Sequence, residues 1–448
     1  MSLFSGLWSA SRTTTVQFRA KSGKKIIAVK ERQNNSERVS LCDFVERRCP
    51  SLHSQFHPAW WLSNGHLQTL YCVLGDFSKR DKVVYKRTYI RLRDGGTLGL
   101  DFTPVDGGDI KPDTPIIVVM HGLTGGSYES YVRAILAPAC SPVQQGGLGY
   151  RAIVINFRGC AGVPITSPQL YSAGHTDDLR QALFYISHRY PKAPLLGLSF
   201  SLGANVMTRY VAEEGEYCRL SSACVLACPW NLTANTDKLV STYIGRHVYS
   251  KGMGRNLVNL LKRHVTSLTR DPEHDVAKAA ALTVELDRPT IELFDESFTR
   301  IAGGSTPPWP FASAHDYYEY ASSHKVLENV RVPFLAINSA DDPVVQDVPM
   351  DANGNEWVVM VLTPYGGHLG WFEADEGWGQ VRRWITKPVL EWLRATGEDL
   401  VSAREYRGLC EIDGFLTETG SENLGCKEID GGHLVIGTEA QNGMLAGL

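Results

Sequence analysis

The chain has 448 residues, with 45 Lys and Arg against 48 Asp and Glu, a net charge of -3 and 43% apolar residues. That is the balance of an ordinary globular protein with enough apolar side chains for a sizeable core, and it carries no electrostatic footprint for nucleic acid. No run approaches the roughly 18–20 apolar residues that span a bilayer.

Residues 1–30 hold Arg12, Arg19, Lys21, Lys24, Lys25 and Lys30 and no acidic residue. They read as a disordered basic leader, with a transit peptide for mitochondria or an arm on anionic lipid as the alternatives. We treat residues 1–54 as a basic N-terminal extension. Next come two apolar strand patterns, 83–92 and 97–102, joined by the turn residues Asp94-Gly95-Gly96. Residues 115–120 form a buried-strand run, 131–140 a helix, and 152–156 another strand. Residues 177–190 place Leu179, Ala182, Leu183 and Ile186 on one helical face, closed by Pro191. A strand at 195–200, a helix at 202–213 and a strand at 223–228 follow. Strand alternating with helix is the signature of a mostly parallel sheet covered on both faces. The alternation stops at 229–325, which reads as a lid or cap insertion. Strands at 333–338 and 357–362 and a helix at 384–394 resume it. The expected core is therefore 55–228 plus 326–397, and 398–448 is an acidic, Gly-rich tail with little order.

The ten cysteines are irregularly spaced, and no secretory leader precedes them. They read as reduced thiols of a cytoplasmic protein, with or without membrane association. Cys224 and Cys228 lie four apart, but no second Cys or His pair follows at zinc-site spacing. No metal or cofactor is implied.

The segment Ser199-Phe200-Ser201-Leu202-Gly203 joins a predicted strand to a predicted helix. A nucleophilic serine on such a sharp turn needs small residues two positions either side, as in G-x-S-x-G. Here Ser199 stands in place of the first Gly. The rival register would make Ser199 the nucleophile, but it leaves Leu202-Gly203-Ala204 unexplained, so Ser201 is preferred. A serine hydroxyl needs a base, and the base needs an orienting carboxylate. Later in the chain Asp341 and Asp342 follow one predicted strand, and His368 follows another inside Gly366-Gly367-His368-Leu369-Gly370. Serine, acid and histidine thus occur in the chain order of this hydrolase type. Backbone N–H groups of Leu202 and Leu123 are the expected oxyanion donors. Leu123 lies in the loop His121-Gly122-Leu123-Thr124-Gly125-Gly126-Ser127, where His121 reads as a loop anchor.

Together these segments resemble the YheT-like branch of the α/β-hydrolases over about residues 55–395. The resemblance rests on His57-Pro58, Asn64-Gly65-His66-Leu67-Gln68-Thr69, Asp94-Gly95-Gly96-Thr97, the loop at His121, Asn156-Phe157-Arg158-Gly159-Cys160, Ser201-Leu202-Gly203-Ala204-Asn205, residues 338–343 and the loop at His368. It implies an α/β-hydrolase fold with a cap and a catalytic triad of Ser201, Asp342 and His368. Asp342 is preferred over Asp341 because Pro343 follows it directly, as in related hydrolases. The branch includes fungal medium-chain fatty-acid ethyl-ester synthases/esterases and a monoacylglycerol lipase. The implied activity is hydrolysis of short- to medium-chain acyl esters or monoacylglycerols, with the lipid ester as small-molecule partner and peripheral membrane or lipid-droplet contact. Alcohol acyl transfer through the same triad is the first alternative, and a non-catalytic binding protein of the same fold the second. Animal members carry an N-terminal membrane helix that is not seen in this sequence. The H-x-x-x-x-D pattern of some acyltransferase relatives is also missing. Trp309, Phe311, Tyr317 and Tyr318 give the cap an aromatic segment suited either to an acyl chain or to cap packing.

Overall fold

A computed structural model describes residues 15–17, 26–30, 36–106, 110–377, 379–401 and 406–437. Its strands are, in chain order, β1 (Thr15–Gln17), β2 (Ile26–Lys30), β3 (Ser36–Ser40), β4 (Val84–Leu92), β5 (Thr97–Thr103), β6 (Ile116–Met120), β7 (Arg151–Asn156), β8 (Leu195–Phe200), β9 (Ser222–Leu226), β10 (Phe334–Ser339), β11 (Val358–Thr363), β12 (Phe372–Ala374), β13 (Val381–Arg383), β14 (Leu409–Ile412), β15 (Phe415–Glu418), β16 (Cys426–Ile429) and β17 (Leu434–Ile436). Thirteen of them form one sheet in the order β1-β11-β10-β9-β8-β6-β7-β5-β4-β16-β15-β14, with β17 also paired to β4. The six neighbours from β11 to β7 are parallel. β5, β4 and the strands beyond them run antiparallel.

The helices are α1 (Leu41–Arg48), α2 (Gly65–Leu74), α3 (Ser130–Cys140), α4 (Asp177–Arg189), α5 (Leu202–Glu214), α6 (Leu232–Ser241), α7 (Lys251–Leu268), α8 (Asp275–Thr283), α9 (Ile291–Phe294), α10 (Arg300–Ala302), α11 (Ala314–Ala321) and α12 (Thr386–Arg394). Side chains alternate between sheet faces. Ile116, Val118 and Met120 of β6 pack in a core with α4, α5 and α7. Ile117 and Val119 pack on the opposite face with α1, α3 and α12. Both faces are therefore dry, which is why the parallel strands are unbroken apolar runs. Between β9 and β10 the described chain is helical and carries no strand.

Two expectations need correction. The tail is not unstructured: β14 to β17 extend the sheet beyond β4. Its charge misled because each edge strand has a wet face, so only scattered positions are buried. Cys426 and Thr417 are fully buried, and buried Glu418 accepts from Arg219 at 2.6 Å. Paired this way, the tail covers an edge of β4 that would otherwise be open. The leader of residues 1–30, expected to be disordered, also carries strands, β1 and β2. β2 and β3 form a hairpin, and α1 buries Leu41, Phe44 and Val45 against the core. Of the basic leader, Arg12, Arg19, Lys21, Lys24 and Lys25 lie outside the described residues.

None of the ten cysteines forms a disulfide among the described residues, and burial pushes the thiols of Cys140, Cys160 and Cys228 up to about 12. No helix among the described residues is long and apolar enough to cross a membrane.

Candidate active site

The site sits at the carboxyl ends of β8, β10 and β11, where an open parallel sheet places its ligands. β8 ends at Phe200, and Ser201 turns directly into α5. Ser201 has φ 50 and ψ -121, a left-handed conformation that non-glycine residues adopt at a cost of order 1–3 kcal/mol. Its N–H donates to the Leu226 carbonyl of β9 at 2.9 Å, which holds the turn against the neighbouring strand. Gly203 is required because a Cβ there would lie 2.5 Å from the His121 carbonyl. Ser199 lies on β8, paired with Met120 and Val225. It is fully buried and its Oγ has no hydrogen-bond partner among the described residues.

Ser201 Oγ is 2.9 Å from His368 Nε2, and His368 Nδ1 is 2.8 Å from Asp342 Oδ2. His368 and Asp342 are buried, and Ser201 is only 6% exposed. With the carboxylate at Nδ1, the hydrogen-bond pattern assigns a proton to Nδ1 and turns Nε2 toward the serine hydroxyl as its acceptor. Asp342 is held from both sides, since its Oδ1 accepts the Val344 and Val345 N–H groups at 2.7 and 2.9 Å. Asp341 points elsewhere. Its Oδ1 accepts from Ser339 Oγ at 2.6 Å and from the Gly367 N–H at 2.9 Å, and burial raises its carboxyl above the usual range. The two adjacent carboxylates thus have separate tasks: Asp342 faces the imidazole, and Asp341 ties down the glycine loop that carries it.

Leu202 follows the serine directly, and Leu123 lies in the loop after β6. Leu202 is the first residue of α5, so its N–H has no intrahelical acceptor. In the other loop, the Gly122 N–H donates to Tyr131 Oη at 3.0 Å and the Thr124 N–H to Tyr171 Oη at 3.1 Å. The Leu123 N–H between them has no acceptor among the described residues. His121 is fully buried, with Nδ1 2.8 Å from the Gly122 carbonyl and Nε2 accepting from the Phe157 N–H at 3.4 Å. Burial lowers its pKa to about 4, so it is neutral and serves the loop.

Several supporting residues were visible only as sequence pattern, without a role. Thr69 Oγ1 accepts the His368 N–H at 2.8 Å and donates to the Gly65 carbonyl at 2.7 Å. Gln68 accepts the Phe372 N–H at 2.7 Å and donates to the Leu62 and Phe372 carbonyls. The Asn64–Thr69 segment is therefore the brace of the histidine loop. Asn205 joins α5 to the chain before α4 and to the end of α11, donating to the Ala173 and Ala321 carbonyls and accepting from the Ser323 N–H. Arg158 is buried between Asp178 and Asp94, which ties the Asn156–Cys160 segment to the Asp94–Thr97 turn.

The aromatic segment between β9 and β10 is packed inward. Trp309, Tyr317 and Tyr318 are buried, with Phe311 against them. Their polar tips are engaged: Trp309 Nε1 donates to the Thr299 carbonyl, Tyr317 Oη accepts the Ala173 N–H, and Tyr318 Oη donates to Asp295. The cluster rests on Leu202, next to the serine.

Comparison with known proteins gives the family of the chain. The family described as "alpha/beta hydrolase fold" matches residues 115–374. The chain is 30% identical over 411 residues to a monoacylglycerol lipase of Saccharomyces cerevisiae, covering 83% of this chain and 87% of that protein. It is 28% identical to the medium-chain fatty acid ethyl ester synthase/esterase 2 of the same yeast, covering 82% and 92%. It is 30% identical to the human phospholipase ABHD3, covering 80% and 83%.

Proposed function

The chain belongs to the α/β-hydrolase family and is a carboxylester hydrolase, and from that premise we propose that Ser201 is its nucleophile, His368 its general base and acid, and Asp342 the carboxylate that orients His368. The observation that carries this is the continuous chain of hydrogen bonds from Ser201 Oγ through His368 to Asp342, at 2.9 and 2.8 Å, starting from a serine with φ 50. Ser201 Oγ attacks the acyl carbon while its proton passes to His368 Nε2. The resulting oxyanion accepts from the Leu202 and Leu123 N–H groups, worth about 3–4 kcal/mol per donor in the transition state. His368 then gives the proton to the departing alcohol oxygen as the C–O bond breaks, leaving acyl-Ser201. Water, deprotonated by the same nitrogen, attacks the acyl carbon and releases the acid and free Ser201.

The substrates proposed are short- to medium-chain acyl esters, including monoacylglycerols, in line with the identity to the yeast lipase over most of both chains. The test is hydrolysis of an acyl-chain-length series and of 1-monoacylglycerols by the wild type and Ser201→Ala, together with fluorophosphonate labelling. Activity and label should both vanish in Ser201→Ala, and full activity in that variant would overturn the assignment.

Acyl transfer to an alcohol is the second reading, favoured by the similarity to the yeast synthase/esterase. It replaces water by an alcohol in the deacylation step and needs no other group. Supplying ethanol and a medium-chain acyl-CoA, and comparing ethyl ester with free acid, separates the two.

A further inference from the structure

We infer that the outer face of the cap formed by residues 243–270 docks on an anionic lipid surface, bringing the active site to its esters at the interface. The inference rests on the lipid-ester reading above. Residues 239–270 contain Arg246, Lys251, Arg255, Lys262, Arg263 and Arg270 and no Asp or Glu, in a chain whose net charge is -3. Arg246, Arg255, Lys262 and Arg270 are exposed, and none of these four forms an ion pair with a carboxylate among the described residues. Elsewhere in the cap the pattern is different: Lys278 pairs with Glu273, Arg300 with Glu296 and Lys325 with Glu319. The inner side of α7 is spent on the core, burying Met253, Leu257, Val258, Leu260 and Leu261. The cations are therefore left on the outside.

The amino end of the same face is apolar. Tyr243 is 79% exposed, Ile244 43% and Val248 40%. Single exposed apolar residues need no explanation, but three together beside uncompensated cations match the headgroup and upper acyl region of an anionic bilayer. A purely polyanionic partner such as nucleic acid offers nothing for that trio to bury against. The apolar end also lies beside the active site. Tyr249 Oη is 2.9 Å from His66 Nδ1, with the two rings stacked. Val248 and the 40% exposed Leu67 are the chain neighbours of that pair, and Thr69 on the same helix as His66 holds the His368 N–H.

The experiment is co-sedimentation of the full chain with phosphatidylcholine vesicles made with and without phosphatidylserine. It compares the wild type, the triple variant Arg255→Gln/Lys262→Gln/Arg270→Gln, and the double variant Tyr243→Ser/Ile244→Ser. The wild type should bind only the vesicles containing phosphatidylserine, and less at high salt. The triple variant should lose about fivefold in partitioning per cation, or about a hundredfold in all, and the double variant should also bind more weakly. Hydrolysis of a soluble short-chain ester should be unchanged in both variants, which shows that they are folded. The inference is overturned if the wild type ignores phosphatidylserine, or if the triple variant binds as tightly. It is equally overturned if duplex DNA is bound as tightly as the vesicles with no dependence on Tyr243 and Ile244. Charge-dependent vesicle binding by a protein that hydrolyses no ester would uphold the docking face and sink the functional reading instead.

Discussion

Asp342→Asn changes one atom of the site and should abolish most of its chemistry. Asp342 Oδ1 accepts two backbone N–H groups, from Val344 and Val345, at 2.7 and 2.9 Å. In the asparagine variant those donors demand the amide oxygen, so the NH2 group must face His368 Nδ1. That nitrogen then has to accept instead of donate, and its proton moves to Nε2. Nε2–H points at Ser201 Oγ, 2.9 Å away, and can no longer take the serine proton. A wrong-tautomer change of this kind costs about 10^4 in kcat in serine hydrolases, or about 5.5 kcal/mol of transition-state stabilisation. The neighbouring Asp341→Asn is the internal control. Its oxygen can keep both bonds, from Ser339 Oγ and the Gly367 N–H, so kcat should fall by less than about tenfold. The assay is steady-state hydrolysis of a soluble short-chain ester, with thermal unfolding to show that both variants fold. If Asp342→Asn kept activity within tenfold of wild type, or if Asp341→Asn lost as much, the tautomer argument would be wrong.

Three further outcomes follow from the same contacts. Thr69→Val keeps the side-chain shape but leaves the buried His368 N–H unpaired, so unfolding free energy should drop by about 1–3 kcal/mol. With the imidazole loop loosened, kcat should fall about tenfold to a hundredfold, and an unchanged kcat would show that Asp341 alone holds the loop. Ser199→Ala deletes a buried hydroxyl that has no partner among the described residues, and should raise stability by about 1 kcal/mol with activity intact. Loss of activity there would mean that the hydroxyl has a task at the turn. Burial lowers the pKa of His121 from 6.5 to about 4, so between those values the unfolded chain binds the proton and the folded one does not. Its contribution is complete above pH 6.5 and is lost as pH falls toward 4, about 3 kcal/mol in all. Urea titrations across this range should show a shallower acid loss in His121→Gln than in the wild type, and identical slopes would refute the assignment.

The parts of this protein legible in its sequence are those decided by short-range chemistry. β6, β8 and β10 are dry on both faces, so they stand out as apolar runs with the boundaries nearly correct. A nucleophile must sit on a strand-to-helix turn, which makes Ser201 visible from its neighbours. The rest depends on partners far away in the chain. Thr69 and His368 are 299 residues apart, and Gln68 and Phe372 are 304 apart. The Asn64–Thr69 segment therefore looked distinctive without showing what it held. Asp341 and Asp342 are equivalent in composition and separable only by direction: one faces a glycine N–H and the other an imidazole. The tail failed for a different reason, because edge strands bury every second residue at most and charge on the wet face hides the alternation. Ser199 unites both lessons. Local pattern flags it as a departure from glycine, but the register of β8 between Met120 and Val225 gives it a place where a small side chain fits. What the turn cannot tolerate is a Cβ at Gly203, against the His121 carbonyl. Of the two small-residue positions around the nucleophile, the second is therefore the one set by close backbone approach.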